Sequence, residues 1–139
     1  MLGADPKVLL PVAGKPMAQH ALDTISEIKK SRTILVLGNQ AKEVKKALST
    51  SKSTKFVTQR KQLGTAHAVK MALPKLRPSS VMVVLYGDVP LVEGKSLKKL
   101  IKSAERGSLA LLTFIKESPQ GYGRIVRGCL LYTSDAADE

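Results

Sequence analysis

The chain has 139 residues, 43% of them hydrophobic and 24% charged, which is typical of a single soluble globular domain that can bury a core. A net charge of +12 favours anionic partners such as phosphates and nucleotides, although the lysines could simply form a solvated surface. Aromatic residues make up only 4% and do not interleave with basic ones, which argues against a base-stacking RNA surface. The sequence contains no apolar run of membrane-spanning length, no signal peptide and only one cysteine, Cys129, so we expect a cytoplasmic protein without a disulfide.

Helix-like and strand-like patterns alternate along the chain after an opening segment, residues 1–16, that prolines and glycines make irregular. Apolar residues at helical spacing predict helices over residues 17–29, 41–48, 65–76 and 96–105, the third of them disturbed by Pro74. Short apolar runs predict strands over residues 32–37, 55–58, 81–86 and 109–115, and a glycine loop at 121–123 leads into a further strand at 124–127.

This alternation predicts an α/β fold with βαβ crossovers, a mostly parallel sheet and helices on both faces. The order is unusual because it begins with a loop and a helix. Doubly wound sheets usually place their first strand centrally and carry the phosphate-binding loop directly after it.

The apolar run 81–86 is followed by Gly87, Asp88 and Pro90, and it reads as a strand buried on both faces. Ligands of such sheets bind beyond the carboxyl ends of the strands, and Asp88 lies just past that end. Gly87 would let a ligand approach the backbone closely, and a carboxylate here could hold Mg²⁺ together with substrate phosphates. The alternative is that Asp88 only caps the following turn.

A second candidate is the turn from Gln59 to His67, which joins a predicted strand to a predicted helix. Gly64 permits close backbone approach, Thr65 is a plausible N-cap, and a helix N-terminus can receive an anion or a carbonyl. Gln59 and Gln62 offer donors and acceptors that suit a nucleobase edge. The alternative is an ordinary capped turn, and His67 reads as a structural histidine because no further metal ligand stands at suitable spacing.

Lys7 follows a proline in the opening loop and could contact a phosphate as a point charge, although it is one lysine among many. Lys7, the Gln59 turn, Asp88 and the loop 121–123 all follow strands or expected strands. In a parallel sheet such loops converge on one edge, so we expect these residues to share a site.

Five blocks carry a family resemblance, namely PKVLLPVAGKPM, QRKQLGTAHAV, VLYGDVPL, LALLTF and GYGRIVR. In this order and spacing they resemble the uridylyltransferase domain of bacterial N-acetylglucosamine-1-phosphate uridyltransferases, which are sugar-nucleotide pyrophosphorylases. The resemblance covers residues 1–128 and implies a Rossmann-like nucleotidyltransferase domain.

The reaction implied by the resemblance is attack of N-acetylglucosamine 1-phosphate on the α-phosphate of UTP, with Mg²⁺ as cofactor and pyrophosphate as the second product. Carried over by motif, Asp88 would bind the metal and Lys7 the phosphates. Gln59, Gly64 and Thr65 would bind uridine, Tyr86 and Gly87 would contact the nucleotide-sugar, and Gly123 would approach the amino-sugar. The product would be a cytoplasmic precursor of cell-wall peptidoglycan, and the resemblance implies neither a nucleic acid nor a membrane as partner.

Both ends of the chain depart from the family pattern. Met1 aligns with the last residue of the family's triphosphate loop, so that loop and the first strand are not in the sequence, and the second metal ligand is absent as well. Residues 129–139 match nothing in the family and resemble a translated sequencing adapter. We therefore expect the 139-residue chain itself to be inactive.

Several properties stay open from the sequence. The longer parent could carry an acetyltransferase domain and form a homotrimer through it. The acceptor could instead be glucose or mannose 1-phosphate, and a rival of another class is a non-catalytic basic module that binds nucleotides or RNA.

Overall fold

In the computed structural model the described residues are 6–38, 40–78, 80–118, 120–127 and 131–134. The expectations for residues 1–5, Asn39, Cys129 and residues 135–139 lie outside them. Helices and strands alternate, which confirms the α/β class. The helices are α1 (Met17–Ser26), α2 (Ala41–Ala47), α3 (Gly64–Ala72) and α4 (Gly94–Ala104), with 3-10 turns at Lys7–Leu9 and Leu73–Lys75. The strands are β1 (Pro11–Val12), β2 (Lys15–Pro16), β3 (Ile34–Leu37), β4 (Lys55–Thr58), β5 (Arg124–Arg127) and β6 (Leu131–Ser134).

Each predicted helix is present, with ends shifted by a few residues. The third helix ends at Ala72, and a 3-10 turn containing Pro74 replaces its last predicted turn. Proline cannot donate the hydrogen bond that an α-helical turn needs, which explains the change of geometry. None of the helices in the described part of the chain is long and apolar enough to cross a membrane.

Strands β3 and β4 form a parallel pair connected through α2, as the alternation predicts. The register places Ile34 opposite Lys55 and Leu37 opposite Thr58. The core of the molecule lies against this pair. Its buried members are Ala18, Leu37, Val44 and Leu48, and the partly buried Val8, Leu9, Leu22, Leu35, Ala41 and Phe56 pack around them.

The prediction that residues 1–16 are irregular is corrected in part, because the segment contains two short strands. Strands β1 and β2 form a small antiparallel hairpin in which Val12 pairs with Lys15. Ala13 and Gly14 make the turn with φ angles of 47° and 77°. Positive φ at both central residues matches the right-handed twist of a hairpin. Because alanine rarely adopts a positive φ, the sequence does not predict this turn.

The strands predicted at 81–86 and 109–115 are not formed, and these predictions are wrong for the described chain. Residues 81–85 make no backbone hydrogen bond to any described residue, and none of the three strand pairs includes either segment. Val83 and Val84 are 39% and 45% exposed. A strand exists only through its ladder with a neighbour, and no neighbouring strand lies beside these segments within the described residues.

The strand predicted at 124–127 is confirmed as β5. It pairs antiparallel with β6, so that Arg124 lies opposite Ser134 and Arg127 opposite Leu131. The second strand lies in the segment that the family blocks do not cover, and the sequence did not predict it.

Candidate functional site

Lys7 and Asp88 meet although 81 positions separate them. The Lys7 ammonium Nζ lies 3.0 Å from the carboxylate oxygen Oδ2 of Asp88. Asp88 stands in a turn that is closed by a hydrogen bond of 3.3 Å from the Val89 N–H to the Tyr86 carbonyl. Among the described residues the carboxylate bonds to Lys7 and to no backbone N–H, so it does not serve as a cap for that turn.

Gly87 explains how the two residues are brought together. A Cβ atom on Gly87 would lie 3.4 Å from Val8 Cγ1 and 3.5 Å from Ala18 Cβ. The absent side chain thus lets the turn pack against the residue after Lys7 and against α1. The space that the missing side chain of Gly87 leaves is therefore filled by Val8 and Ala18 and not open to a ligand, which corrects that part of the prediction, whereas the neighbouring Tyr86 is 53% exposed.

Gln59 is the buried polar residue of the second candidate region, with 8% exposure. Its backbone N–H donates to the Leu37 carbonyl at 2.7 Å, which extends the pairing of β4 with β3 by one bond. Its side-chain nitrogen Nε2 lies 3.2 Å from the Gly64 carbonyl and 2.8 Å from His67 Nδ1. The amide therefore ties the end of β4 to the first turns of α3.

Gly64 opens α3 with a φ of +82°, a backbone conformation that favours glycine. This geometry corrects the prediction that Thr65 caps the helix. The N-cap position falls on Leu63, no side chain caps it, and Thr65 lies exposed in the first turn. The N-cap thus lies two residues before the predicted one, and the positive φ of Gly64 follows it directly at the start of the helix.

Gln62 lies beside the end of β3. A Cβ on Gly38 would collide with the Gln62 side-chain nitrogen, so glycine at position 38 makes room for this amide. Two glutamine side chains thus stand next to the carboxyl ends of β3 and β4. This is the edge of a parallel sheet where ligands bind.

The structure brings the predicted residues together in two groups. Lys7 and Asp88 form one group, with Tyr86 and Gly87 in the adjoining turn, and Gln59 and Gly64 form the other, with Thr65 beside them. Gly123 is exposed just before β5, and no hydrogen bond or ion pair between described residues links it to either group. The sequence did not anticipate the direct contact of His67 with Gln59 or the packing of Val8 under Gly87.

Asp88 could hold a magnesium ion only together with ligands that do not come from the described residues. The described residues contain no group of three or more histidine, cysteine or acidic side chains that could enclose a metal. A partly exposed lone carboxylate is nevertheless a usual Mg²⁺ ligand where substrate phosphates and water complete the shell. The adjacent Lys7 would then be placed to meet the same phosphates as a donor.

The parallel βαβ unit with polar side chains at its carboxyl edge and the separate carboxylate–lysine pair are features of a Rossmann-like α/β domain. The family comparison agrees. The chain belongs to the MobA-like NTP transferase domain family, whose sequence profile matches residues 1–134.

Individual relatives point the same way and confirm the resemblance drawn from the sequence. The bifunctional protein GlmU of Cellvibrio japonicus is 42% identical over 140 residues, which covers 96% of this chain and 31% of that protein. The GlmU protein of Burkholderia orbicola is 45% identical over 127 residues, covering 91% of this chain and 28% of that protein. The chain thus spans about a third of the length of these relatives.

A solved structure shares the fold. The crystal structure of Rv0371c from Mycobacterium tuberculosis superposes with a TM-score of 0.65 and 26% identity, covering 74% of this chain and 53% of that one. A second structure of the same protein, also with a TM-score of 0.65, is a complex with manganese.

Proposed function

We propose that this chain carries part of the active site of a sugar-1-phosphate nucleotidyltransferase that makes UDP-N-acetylglucosamine and pyrophosphate from UTP and N-acetylglucosamine 1-phosphate. The observation that carries the proposal is the ion pair of Lys7 and Asp88 at 3.0 Å, in which a cation that could bind phosphate lies next to an anion that could bind a metal. The family match and the GlmU relatives support the nucleotidyltransferase class, and the choice of sugar and nucleotide rests on the resemblance of the sequence blocks.

The roles of the chain's own residues follow from charge and position. Asp88 would hold a divalent cation, which neutralises phosphate charge when bound. Lys7 would donate to a phosphate oxygen, and its exposed, flexible side chain can leave Asp88 because an exposed ion pair contributes at most about 1 kcal/mol. Gln59, Gly64 and Thr65 would hold the uridine, Tyr86 and Gly87 would border the nucleotide-sugar, and Gly123 would approach the amino-sugar.

Catalysis in this scheme is mainly positioning. The sugar phosphate already carries its nucleophilic oxygen as an anion, so no general base is required in the described residues. What the site must supply is alignment of that oxygen with the α-phosphate and compensation of the charge that builds up there.

The binding test uses the 139-residue chain with UTP, titrated calorimetrically with and without Mg²⁺. Lys7→Met is expected to weaken UTP binding about tenfold under both conditions, because a charge-assisted hydrogen bond is lost. Asp88→Asn is expected to weaken it only when Mg²⁺ is present. Lys102→Met, which removes the same charge from the exposed face of α4, serves as the control, and equal losses in all three variants would contradict the proposal.

A turnover test addresses the expectation that this chain alone is inactive. We expect no pyrophosphate release from UTP, Mg²⁺ and the sugar phosphate. Robust release that Asp88→Ala abolishes would disprove this expectation while supporting the site. The choice of acceptor sugar is tested by comparing N-acetylglucosamine, glucose and mannose 1-phosphates as substrates of a chain extended to the length of its relatives.

A further inference from the structure

The atoms around Gln59 determine the orientation of its side-chain amide. Gly64 contributes a carbonyl oxygen at 3.2 Å, and a carbonyl can only accept a hydrogen bond. The Gln59 atom that faces it must therefore be the amino nitrogen Nε2. The reverse orientation would place two acceptor oxygens against each other in a residue that is 8% exposed.

The second amide hydrogen then determines the tautomer of His67. Nε2 also lies 2.8 Å from His67 Nδ1, so that ring nitrogen must accept and the ring proton must reside on His67 Nε2. Both hydrogens of the Gln59 amide are thereby used inside the protein. Only the carbonyl oxygen Oε1 is left for another partner.

Oε1 is available to a ligand. No described residue donates a hydrogen bond to it, and no fully buried side-chain polar atom in the described part of the chain lacks a partner. It follows that Oε1 is in contact with solvent, between the end of β4 and the start of α3. An acceptor fixed in this way selects ligands that present an N–H at that point.

We propose that His67 is a positioning residue that fixes the Gln59 amide so that its Oε1 accepts from a base carrying a ring N–H, such as uracil at N3. Cytosine has an acceptor at the same ring position and would meet Oε1 with repulsion. The inference rests on the proposed function in one respect, namely that the base of a nucleotide reaches this edge.

The first test examines the free chain and does not depend on function. In ¹⁵N NMR spectra, His67 is expected to show an unprotonated Nδ1 and a protonated Nε2, and the two Gln59 side-chain N–H signals are expected to be protected from exchange. His67→Leu should remove the protection of one Gln59 hydrogen, and Lys70→Ala on the same helix should not. A protonated Nδ1 at neutral pH would overturn the inference.

The second test measures binding of UTP and CTP to the same set of variants. The wild type is expected to prefer UTP, and His67→Leu should reduce the ratio of the two affinities about two- to tenfold, the contribution of one hydrogen bond. His67→Asn should retain the preference, since its Oδ1 stands where Nδ1 stood and can accept from the amide. Lys70→Ala should also retain it.

The outcomes separate the two hypotheses. A UTP preference that survives His67→Leu overturns the positioning role and leaves the proposed function in place. A loss of preference in both His67→Leu and His67→Asn indicates a packing role only and overturns it too. A wild type that binds UTP and CTP equally, or neither, contradicts the proposed use of uridine nucleotides and removes the basis for the inference.

Discussion

Two regions of this molecule have similarly apolar sequences and very different surroundings. Strands β3 and β4 pair in parallel and lie against a core in which Leu37 and Val44 are 8% and 5% exposed. The segments 81–85 and 109–115 are at least as apolar, yet Leu109 and Ile115 are 79% and 102% exposed. An apolar run thus becomes a buried strand only where a second strand can satisfy the hydrogen bonds of its backbone.

Hydrogen exchange offers the largest expected contrast between the two regions. The amides of β4 and of Gln59 are bonded to β3, whereas residues 81–85 have no backbone partner among the described residues. We expect the paired amides to exchange about a thousandfold or more slowly than those of 81–85, because their opening requires cooperative unfolding. Mass spectrometry of deuterated peptides measures this ratio. Equal protection would mean that 81–85 finds a partner in solution.

The second contrast uses the same substitution in both regions. Leu37→Ala is expected to lower the free energy of unfolding by about 2–5 kcal/mol, because it removes buried contacts and leaves a cavity. Leu109→Ala is expected to change it by no more than about 0.5 kcal/mol, since its side chain is 79% exposed. Urea titration followed by circular dichroism measures both values. A large loss at Leu109 would show that its segment is packed.

The third contrast concerns association. An exposed apolar segment with unpaired backbone groups is a template for another chain, so we expect light scattering to rise with concentration. Val83→Lys should reduce the scattering severalfold by placing a charge on that edge. Leu63→Lys makes the same change at an exposed residue outside the two segments and should have little effect. If both substitutions reduced the scattering equally, the added net charge alone would explain the reduction.

The difference between the regions also marks how far the sequence predicts the fold. Local signals located the helices, the strand Lys55–Thr58 without error, and the break at Pro74. The hairpin at Ala13 was missed because its turn uses a residue that rarely adopts positive φ. The segments 81–86 and 109–115 were assigned as strands because apolar content is local information, whereas the presence of a partner strand is not.

In the candidate site, too, local features could be predicted from the sequence and contacts between distant residues could be predicted less well. The rule that loops converge at the carboxyl edge of a parallel sheet predicted one site for Lys7, the Gln59 turn, Asp88 and the loop 121–123. The structure places Lys7 and Asp88 3.0 Å apart, but no strand among the described residues leads into either of them, so the rule does not account for this contact. The contact of His67 with Gln59 could not be read from spacing, because it depends on how the chain turns between β4 and α3. The functional roles assigned to these residues stay predictions until ligands are measured.

The ion pair between Lys15 of β2 and Asp23 of α1 lies in the region of the packed core and is exposed, so we expect its loss to change stability only slightly. Lys15 donates a hydrogen bond of 2.8 Å to Asp23, and Gln19 donates another, and these bonds hold the pKa of Asp23 below its usual value of 3.8. A lowered carboxyl pKa stabilises the folded state above the unfolded-state pKa. This contribution is lost as pH falls through the still lower folded-state pKa. Because both side chains are about half exposed, the contribution should stay below about 1 kcal/mol.

Lys15→Met should therefore raise the pKa of Asp23 toward its usual value and slightly reduce stability at neutral pH, with the difference from wild type vanishing in strong acid. Carboxyl ¹³C NMR titration measures the pKa, and urea titrations at several pH values measure the stability. Lys70→Met, which removes an equal charge from the exposed side of α3, is the control. A pKa that does not move in Lys15→Met would show that Lys15 does not lower it, and the hydrogen bond from Gln19 would then be the main cause of the lowered pKa, ahead of the charge of His20.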